Sequence, residues 1–267
     1  MMVVKTYETI KLEKSADKKE IAILTLNRPG SMNALNTKMA IELLEALQEL
    51  KYDDNIRVLI LTGEGEKSFC VGADLKERNG MSQQDWKRQH DYFEEVTEKL
   101  REFPFPVICA VNGYALGGGM EIALSCDLRT ASSNASFGLP EAKLGLIPGI
   151  GGTQLISRVM PIAVAKEILF TGKRFSAKEG KEYGLINHVY ESESLLNETV
   201  ELANAISENA PLSLKAIKKV VNKGSDTDLS TGIALELEAY YKCANSEDRL
   251  EGIYAFNEKR KPSWHGK

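Results

Sequence analysis

Two acids stand in unusual settings in this sequence. In residues 113–127, GYALGGGMEIALSCD, the glycines Gly117, Gly118 and Gly119 run into an apolar segment that carries Glu121 near its start. In residues 137–152, FGLPEAKLGLIPGIGG, Glu141 follows Pro140 among Phe137, Leu139, Leu144 and Leu146. A carboxylate in an apolar setting has to be paired, hydrogen-bonded or held protonated with a raised pKa. Two such groups in one site can divide the work, one as acid and one as base. Read singly, each has a plain structural role. Glu121 complements a helix dipole, and Glu141 is an acid on a surface loop.

The glycine triplet adds a second kind of chemistry. A strand, VICAV, ends just before it, and a helix begins in MEIALSC. Such a junction aims free backbone N–H groups and the positive end of a helix at one point. Without Cβ atoms in the way, a ligand oxygen can reach the chain. This is how an oxyanion hole is built. A tight strand-to-helix turn is the structural alternative. The helix is apolar nearly all round, which predicts burial. Pro140 at the first position of a short helix would place Glu141 in its first turn.

The elements that must position these residues are read from periodicity. Strands are expected at 21–26, 58–62, 107–111, 128–131, 135–137 and 186–190, and helices at 37–50, 92–103 and 162–170. After about residue 193 only helices are expected, at 195–209, 212–222, 229–243 and 248–258. The plan is an α/β core over 1–195 followed by a helical part over 196–267.

Several other chemistries are excluded or disfavoured. LTGEGEKSFC and GIGGTQ fail both the GxGxxG and the GxxxxGK[ST] spacing, and GxSxG and HExxH are absent. The three histidines, His90, His188 and His265, form no nucleophile–base pattern, and no Cys/His cluster suggests a metal. A net charge of -4 without a basic stripe argues against nucleic acid. Lys215, Lys218, Lys219 and Lys223 form a basic run at helical spacing, read as a solvated face or a subunit contact. Four scattered cysteines fit reduced, structural residues. No apolar run reaches the roughly 20 residues of a membrane span, and the N-terminus lacks a signal or transit pattern. The expectation is a cytoplasmic protein.

At residues 113–154 the sequence closely resembles the signature region of the crotonase, or enoyl-CoA hydratase/isomerase, superfamily. The resemblance extends through LTLNRPGSMNALN, FCVGADLKE, TGKRFSAKEGKEYGLINHVY and RLEGIYAFNEKRKPSWHG, so it spans nearly the whole chain. It implies a spiral of ββα turns with a C-terminal helical trimerisation region, and a homo-oligomer, a hexamer made of two trimers. It implies an acyl-CoA thioester substrate, with coenzyme A as part of the substrate and neither a separate cofactor nor a metal.

By the same resemblance, Ala73 and Gly118 N–H groups would hold the thioester oxygen. Glu121 and Glu141 would be the catalytic pair, and Gly149 would help orient a water. Coenzyme A would be met near Ala34, Leu35, Cys70, Gly72, Asp74 and Leu75, and by Phe256 and Lys259 toward a neighbouring subunit. Both glutamates together favour hydration of a 2-enoyl-CoA. Isomerases of the family commonly keep only the second. Met81 and Trp86 either cap a short acyl pocket or pack on the core. The tail resembles short-chain and branched-chain hydratases, including methylglutaconyl-CoA hydratase. A diacid substrate would need a cation near the acyl end, with Arg78, Lys87 and Arg88 as candidates.

Overall fold

The computed structural model describes residues 3–14 and 20–267; residues 1–2 and 15–19, part of the N-terminal stretch read for a signal or transit pattern, lie outside them. β1 (Val3–Thr6), β2 (Ile10–Lys14) and β3 (Ile21–Leu26) pair antiparallel in succession. α1 (Thr37–Lys51) follows, capped by the Asn36 side chain, which accepts from the Met39 N–H at 2.9 Å.

The chain then repeats one motif three times. The first turn is β4 (Val58–Gly63), β5 (Ser68–Cys70), α2 (Leu75–Arg78) and α3 (Gln83–Arg101). The second is β6 (Val107–Val111), β7 (Tyr114–Leu116) and α4 (Gly118–Leu124). The third is β8 (Leu128–Ser132), β9 (Ser136–Gly138), a 3-10 turn at Glu141–Leu144, α5 (Gly152–Val159) and α6 (Ile162–Thr171). In each turn the first strand joins a seven-stranded sheet and the second a four-stranded sheet. β10 (Phe175–Ser176) closes one edge of the small sheet, α7 (Ala177–Glu182) follows, and β11 (His188–Tyr190) completes the large one. The fold is the α/β spiral of ββα turns.

Strands β3, β4, β6, β8 and β11 run parallel, and every residue of β4 and β6 is buried. Side chains alternate between the two faces. Leu59, Leu61, Val107, Cys109 and Val111 join the main core with α1, α3 and α4. Val58, Ile60, Ile108 and Ala110 face the other way, onto Leu195 and Ala203 of α8 (Leu195–Ser207). Helix α8, assigned to the helical part on sequence grounds, thus covers a face of the large sheet.

α9 (Pro211–Gly224) and α10 (Leu229–Ala244) pack on each other, and α11 (Glu247–Glu258) follows. Lys218, one of the basic run, is not solvated. Its Nζ is buried and donates to Asp127 Oδ2 at 2.7 Å, Phe105 O at 3.1 Å and Leu100 O at 3.4 Å. Asp127 Oδ2 also accepts from the Val107 N–H at 2.7 Å. One ammonium therefore ties α9 to the ends of α3, α4 and β6.

Removing one partner of a buried pair strands the other's charge. Lys218→Ala is expected to lower the unfolding free energy by about 3 kcal/mol, while Lys219→Ala on the exposed face changes it by less than about 0.5 kcal/mol. Urea titration of the two variants measures the difference.

Candidate active site

Helix α4 carries Glu121, and both of its ends are fixed. At its C-terminal end the buried Arg129 guanidinium donates to Cys126 O at 2.7 Å, Ala123 O at 3.2 Å and Leu185 O at 2.7 Å. A cation there suits the helix dipole. At the N-terminal end Gly117 is the cap, with φ +53°. A side chain would strain that backbone, and a methyl would stand 2.9 Å from Glu141 Oε1. A methyl on Gly119 would overlap the Cys70 carbonyl. The triplet lets α4 start against β5 and lets Glu141 come up to its cap.

Glu121 is 3% exposed. Its Oε1 accepts from the Gly152 N–H at 2.8 Å and the Ile150 N–H at 2.9 Å. A methyl on Gly152 would fall 2.9 Å from that same oxygen. The stretch GIGG therefore holds an acid rather than a phosphate. Burial raises the Glu121 pKa, against the pull of these backbone donors.

Glu141 sits at the start of its 3-10 turn, with Pro140 at the cap rather than at the first helical position. Burial, followed by repulsion from Glu121, pushes its carboxyl up to about 7. Its Oε2 is buried with no hydrogen-bond partner among the described residues. Phe137 and Leu139 are buried nearby in sequence, but Leu144 and Leu146 are exposed. Half of the apolar setting expected around Glu141 is thus not enclosed by this chain.

The two expected N–H groups are brought together. Ala73 bridges Leu35 in parallel: Leu35 N–H donates to Gly72 O at 2.8 Å, and Asp74 N–H to Leu35 O at 2.9 Å. That pattern leaves the Ala73 N–H outside the bridge. Gly118 is the first residue of α4, whose N–H has no intrahelical acceptor. A methyl on Gly72 would lie 3.1 Å from Gly118 N, and one on Gly118 3.8 Å from Ala73 N. Asp74 locks the segment by capping α2 and pairing with Arg28 at 2.9 Å. Arg28 also donates to Ala34 O at 2.6 Å. Arg28 is a residue that the sequence reading missed, although it lies inside the NRPG loop quoted there.

Of the residues expected at a nucleotide, Ala34, Leu35, Cys70, Gly72 and Asp74 gather on this clamp. Leu35 and Cys70 are fully buried, so they could offer only backbone groups. Leu75 is exposed. Phe256 is exposed near the end of α11, and Lys259 follows it with φ +55°. Among the described residues no hydrogen bond or ion pair joins them to the clamp. Gly149 lies on the exposed loop before Ile150 and faces the His90 ring. Trp86 stacks on His90, and Met81 lies in the turn between α2 and α3. Lys87 pairs with Asp91 and Arg88 with Asp85 on the exposed side of α3, whereas Arg78 lies over the Trp86 and Phe93 rings. The described residues hold no group of three or more potential metal ligands and no helix long and apolar enough to cross a membrane.

Comparison with known proteins agrees with this architecture. The family described as "Enoyl-CoA hydratase/isomerase" matches residues 16–267. A short-chain-enoyl-CoA hydratase of Clostridium acetobutylicum is 43% identical over 91% of this chain and 93% of its own length. A crotonyl-CoA hydratase of Syntrophomonas wolfei is 39% identical over 98% of this chain and 99% of its own. The crystal structure of an enoyl-CoA hydratase from Bacillus anthracis superposes with a TM-score of 0.92 at 40% identity, covering 100% of this chain and 99% of that one. The chain belongs to the enoyl-CoA hydratase/isomerase family.

The raised Glu141 pKa has a consequence for folding. The folded chain binds this proton more tightly than an unfolded glutamate titrating near 4.5. The stability it contributes is therefore full below about 4.5 and lost as pH rises through about 7. Urea midpoints measured from about pH 5 to about pH 8 should fall with rising pH, and Glu141→Gln should flatten that slope.

Proposed function

We propose that this member of the family is a hydratase that adds water across the 2,3 double bond of a short 2-enoyl-CoA, giving the 3-hydroxyacyl-CoA. The observation that carries the reading is an unequal pair of acids, Glu121 buried and Glu141 half-buried, beside the neighbouring Ala73 and Gly118 N–H groups. Glu121 is fixed by backbone donors, and Glu141 carries a carboxyl that stays largely protonated up to about 7.

In this reading the thioester oxygen accepts from the Ala73 and Gly118 N–H groups, and each donor contributes about 3 kcal/mol to the enolate-like transition state. Water lies between the acids. Glu121, as carboxylate, takes a proton from it while the water oxygen bonds to C3. The π pair moves toward C2 and the thioester oxygen. Glu141 gives its proton to C2, and the oxygen's charge returns to the carbonyl. The proton left on Glu121 has to pass back to Glu141, by way of solvent or a further water, before the next turnover. In dehydration the roles reverse. Gly149 would orient the water from its loop. No separate cofactor or metal enters the reaction, because coenzyme A arrives with the substrate.

Coenzyme A would lie along the Ala34–Leu35 and Cys70–Leu75 segments, where Arg28 and Asp74 hold the backbone. Phe256 and Lys259 suit the nucleotide of a neighbouring subunit. A homo-oligomer, a hexamer of two trimers, fits the exposed apolar residues Leu229, Ile233, Leu237, Tyr240 and Tyr241 of α10.

Crotonyl-CoA should lose its conjugated-thioester ultraviolet absorbance in the presence of the protein. Glu121→Gln and Glu141→Gln should each lower kcat by about 10²–10⁴-fold with a small change in KM. Should Glu121→Gln leave turnover of a 3-enoyl-CoA intact while crotonyl-CoA stays untouched by the native protein, the chain is an isomerase instead.

A further inference from the structure

We propose that Arg28 is a positioning residue for the reaction: its guanidinium orients and polarises the Ala73 N–H through two peptide groups hydrogen-bonded in series. The proposal rests on the reading that the thioester oxygen accepts from Ala73 and Gly118. It adds a cation to a hole otherwise made of backbone alone.

The series can be followed atom by atom. Arg28 Nη1 donates to Ala34 O at 2.6 Å. The Ala34–Leu35 peptide is trans, so its N–H points away from its C=O. That N–H, of Leu35, donates to Gly72 O at 2.8 Å. The Gly72–Ala73 peptide is trans as well, so the Ala73 N–H points away from Leu35. It donates to no group among the described residues. A cation thus stands at one end of a line of aligned dipoles, and the free donor stands at the other.

The guanidinium is held at its end of the line. Its Nη2 donates to Asp74 Oδ2 at 2.9 Å, and the Asp74 N–H donates to Leu35 O at 2.9 Å, so the line closes into a ring. Asp74 Oδ1 accepts from the Lys76 N–H at 3.0 Å and the Glu77 N–H at 3.3 Å. The Arg28 backbone is tied to the fully buried Asn33. Arg28 N–H donates to Asn33 Oδ1, and Asn33 N–H donates to Arg28 O, both at 2.9 Å. Asn33 Nδ2 is anchored in turn on Ser68 O at 2.8 Å and Glu64 O at 3.0 Å. The Arg28 and Asp74 side chains are 21% and 11% exposed, so salt screens them weakly.

Two effects follow, one geometric and one electrostatic. Gly72 has φ +91° and the conformational freedom of a glycine, so the Leu35 bond is what fixes the plane of the Gly72–Ala73 peptide. Arg28 fixes Leu35 in its turn. Hydrogen bonds in a chain polarise one another, and a charged donor makes a bond about twice as strong as a neutral one. Arginine keeps its charge across the whole working range. Asp74 offsets part of that charge, but on the other arm of the fork; the arm that feeds the series is Nη1. The gain at the Ala73 N–H rises with the charge on its acceptor. It is therefore larger for the enolate-like transition state than for the bound thioester. Arg28 exerts it without touching the substrate.

Infrared difference spectra of saturating butanoyl-CoA, labelled with carbon-13 at the thioester carbonyl, read the Ala73 donor without turnover. A hydrogen bond to a carbonyl lowers its stretching frequency. The native protein is expected to lower the stretch below that of the free ligand. Arg28→Ala and Arg28→Gln should each reverse part of that shift, and Arg28→Lys, which keeps the cation, should stay nearer the native position. Deleting a whole donor costs about 10²–10³-fold in kcat. The two neutral variants only weaken one, so on crotonyl-CoA they should lose about tenfold in kcat with KM within about threefold, and Arg28→Lys should regain part of the loss. Variants that hold the carbonyl at its native frequency would overturn the proposal and leave the reading of the hole intact. A merely structural loss lowers the folded fraction, but does not move the stretch of ligand bound to folded protein. A native spectrum with no shift would instead refute the placing of the thioester oxygen on these donors, and the proposal with it.

Discussion

A carboxylate 3% exposed has to be held, and Glu121 is held by the backbone of a distant loop. The N–H groups of Ile150 and Gly152 converge on one of its oxygens. Much of the local architecture serves that bond. Gly152 has to lack a side chain, because a methyl would collide with the oxygen it binds. Helix α4 must present Glu121 at a fixed height, so Arg129 fixes one end and the triplet fixes the other. The loop must stay close, and the His90 ring backs it at Gly149.

The second acid is treated in the opposite way. Glu141 has an oxygen with no partner among the described residues and a carboxyl pushed up by burial and by the Glu121 charge. Both pKa values are raised, but the two sites differ in what stabilises the ionised form. Backbone donors from the Gly149–Gly152 loop favour charge on Glu121, whereas Glu141 has only its own backbone N–H to do so. The Glu121 charge adds to the burial that keeps a proton on Glu141. In the proposed reaction, acid and base are thereby assigned by environment, since the residues themselves are identical.

The spiral explains how such distant segments meet. Each turn sends one strand to each sheet, so the ends of β5 and β7 lie side by side and deliver Ala73 and Gly118 to one spot. Most of the long strands and helices were legible because burial imposes periodicity over five residues or more, but β2 and α5 were not read. The second strands of the first two turns were not legible either: Ser68–Cys70 and Tyr114–Leu116 are three residues long, too short for a pattern, although the equally short Ser136–Gly138 was expected at 135–137. Helix α3 begins at Gln83, earlier than its apolar marks, because its first two turns are mostly polar and exposed and Ser82 caps them. GIGG announced a turn but not its purpose, since the acid it binds is about thirty residues away. The two glutamates and the glycine triplet stood out because each breaks a local rule. Arg28 did not, since an arginine in a turn looks ordinary until Asp74 is seen beside it. Lys218 looked like its solvated neighbours for the same reason.

The central claim is geometric: one pocket places a thioester oxygen at two N–H groups while the two acids share a water. A crystal structure with a bound unreactive 2-enoyl-CoA analogue tests it most directly. The account predicts the thioester oxygen at about 2.9 Å from both Ala73 N and Gly118 N, with one water touching Glu121 and Glu141 over C3. A thioester oxygen turned away from either N–H, or acids too far apart to share a water, would contradict it.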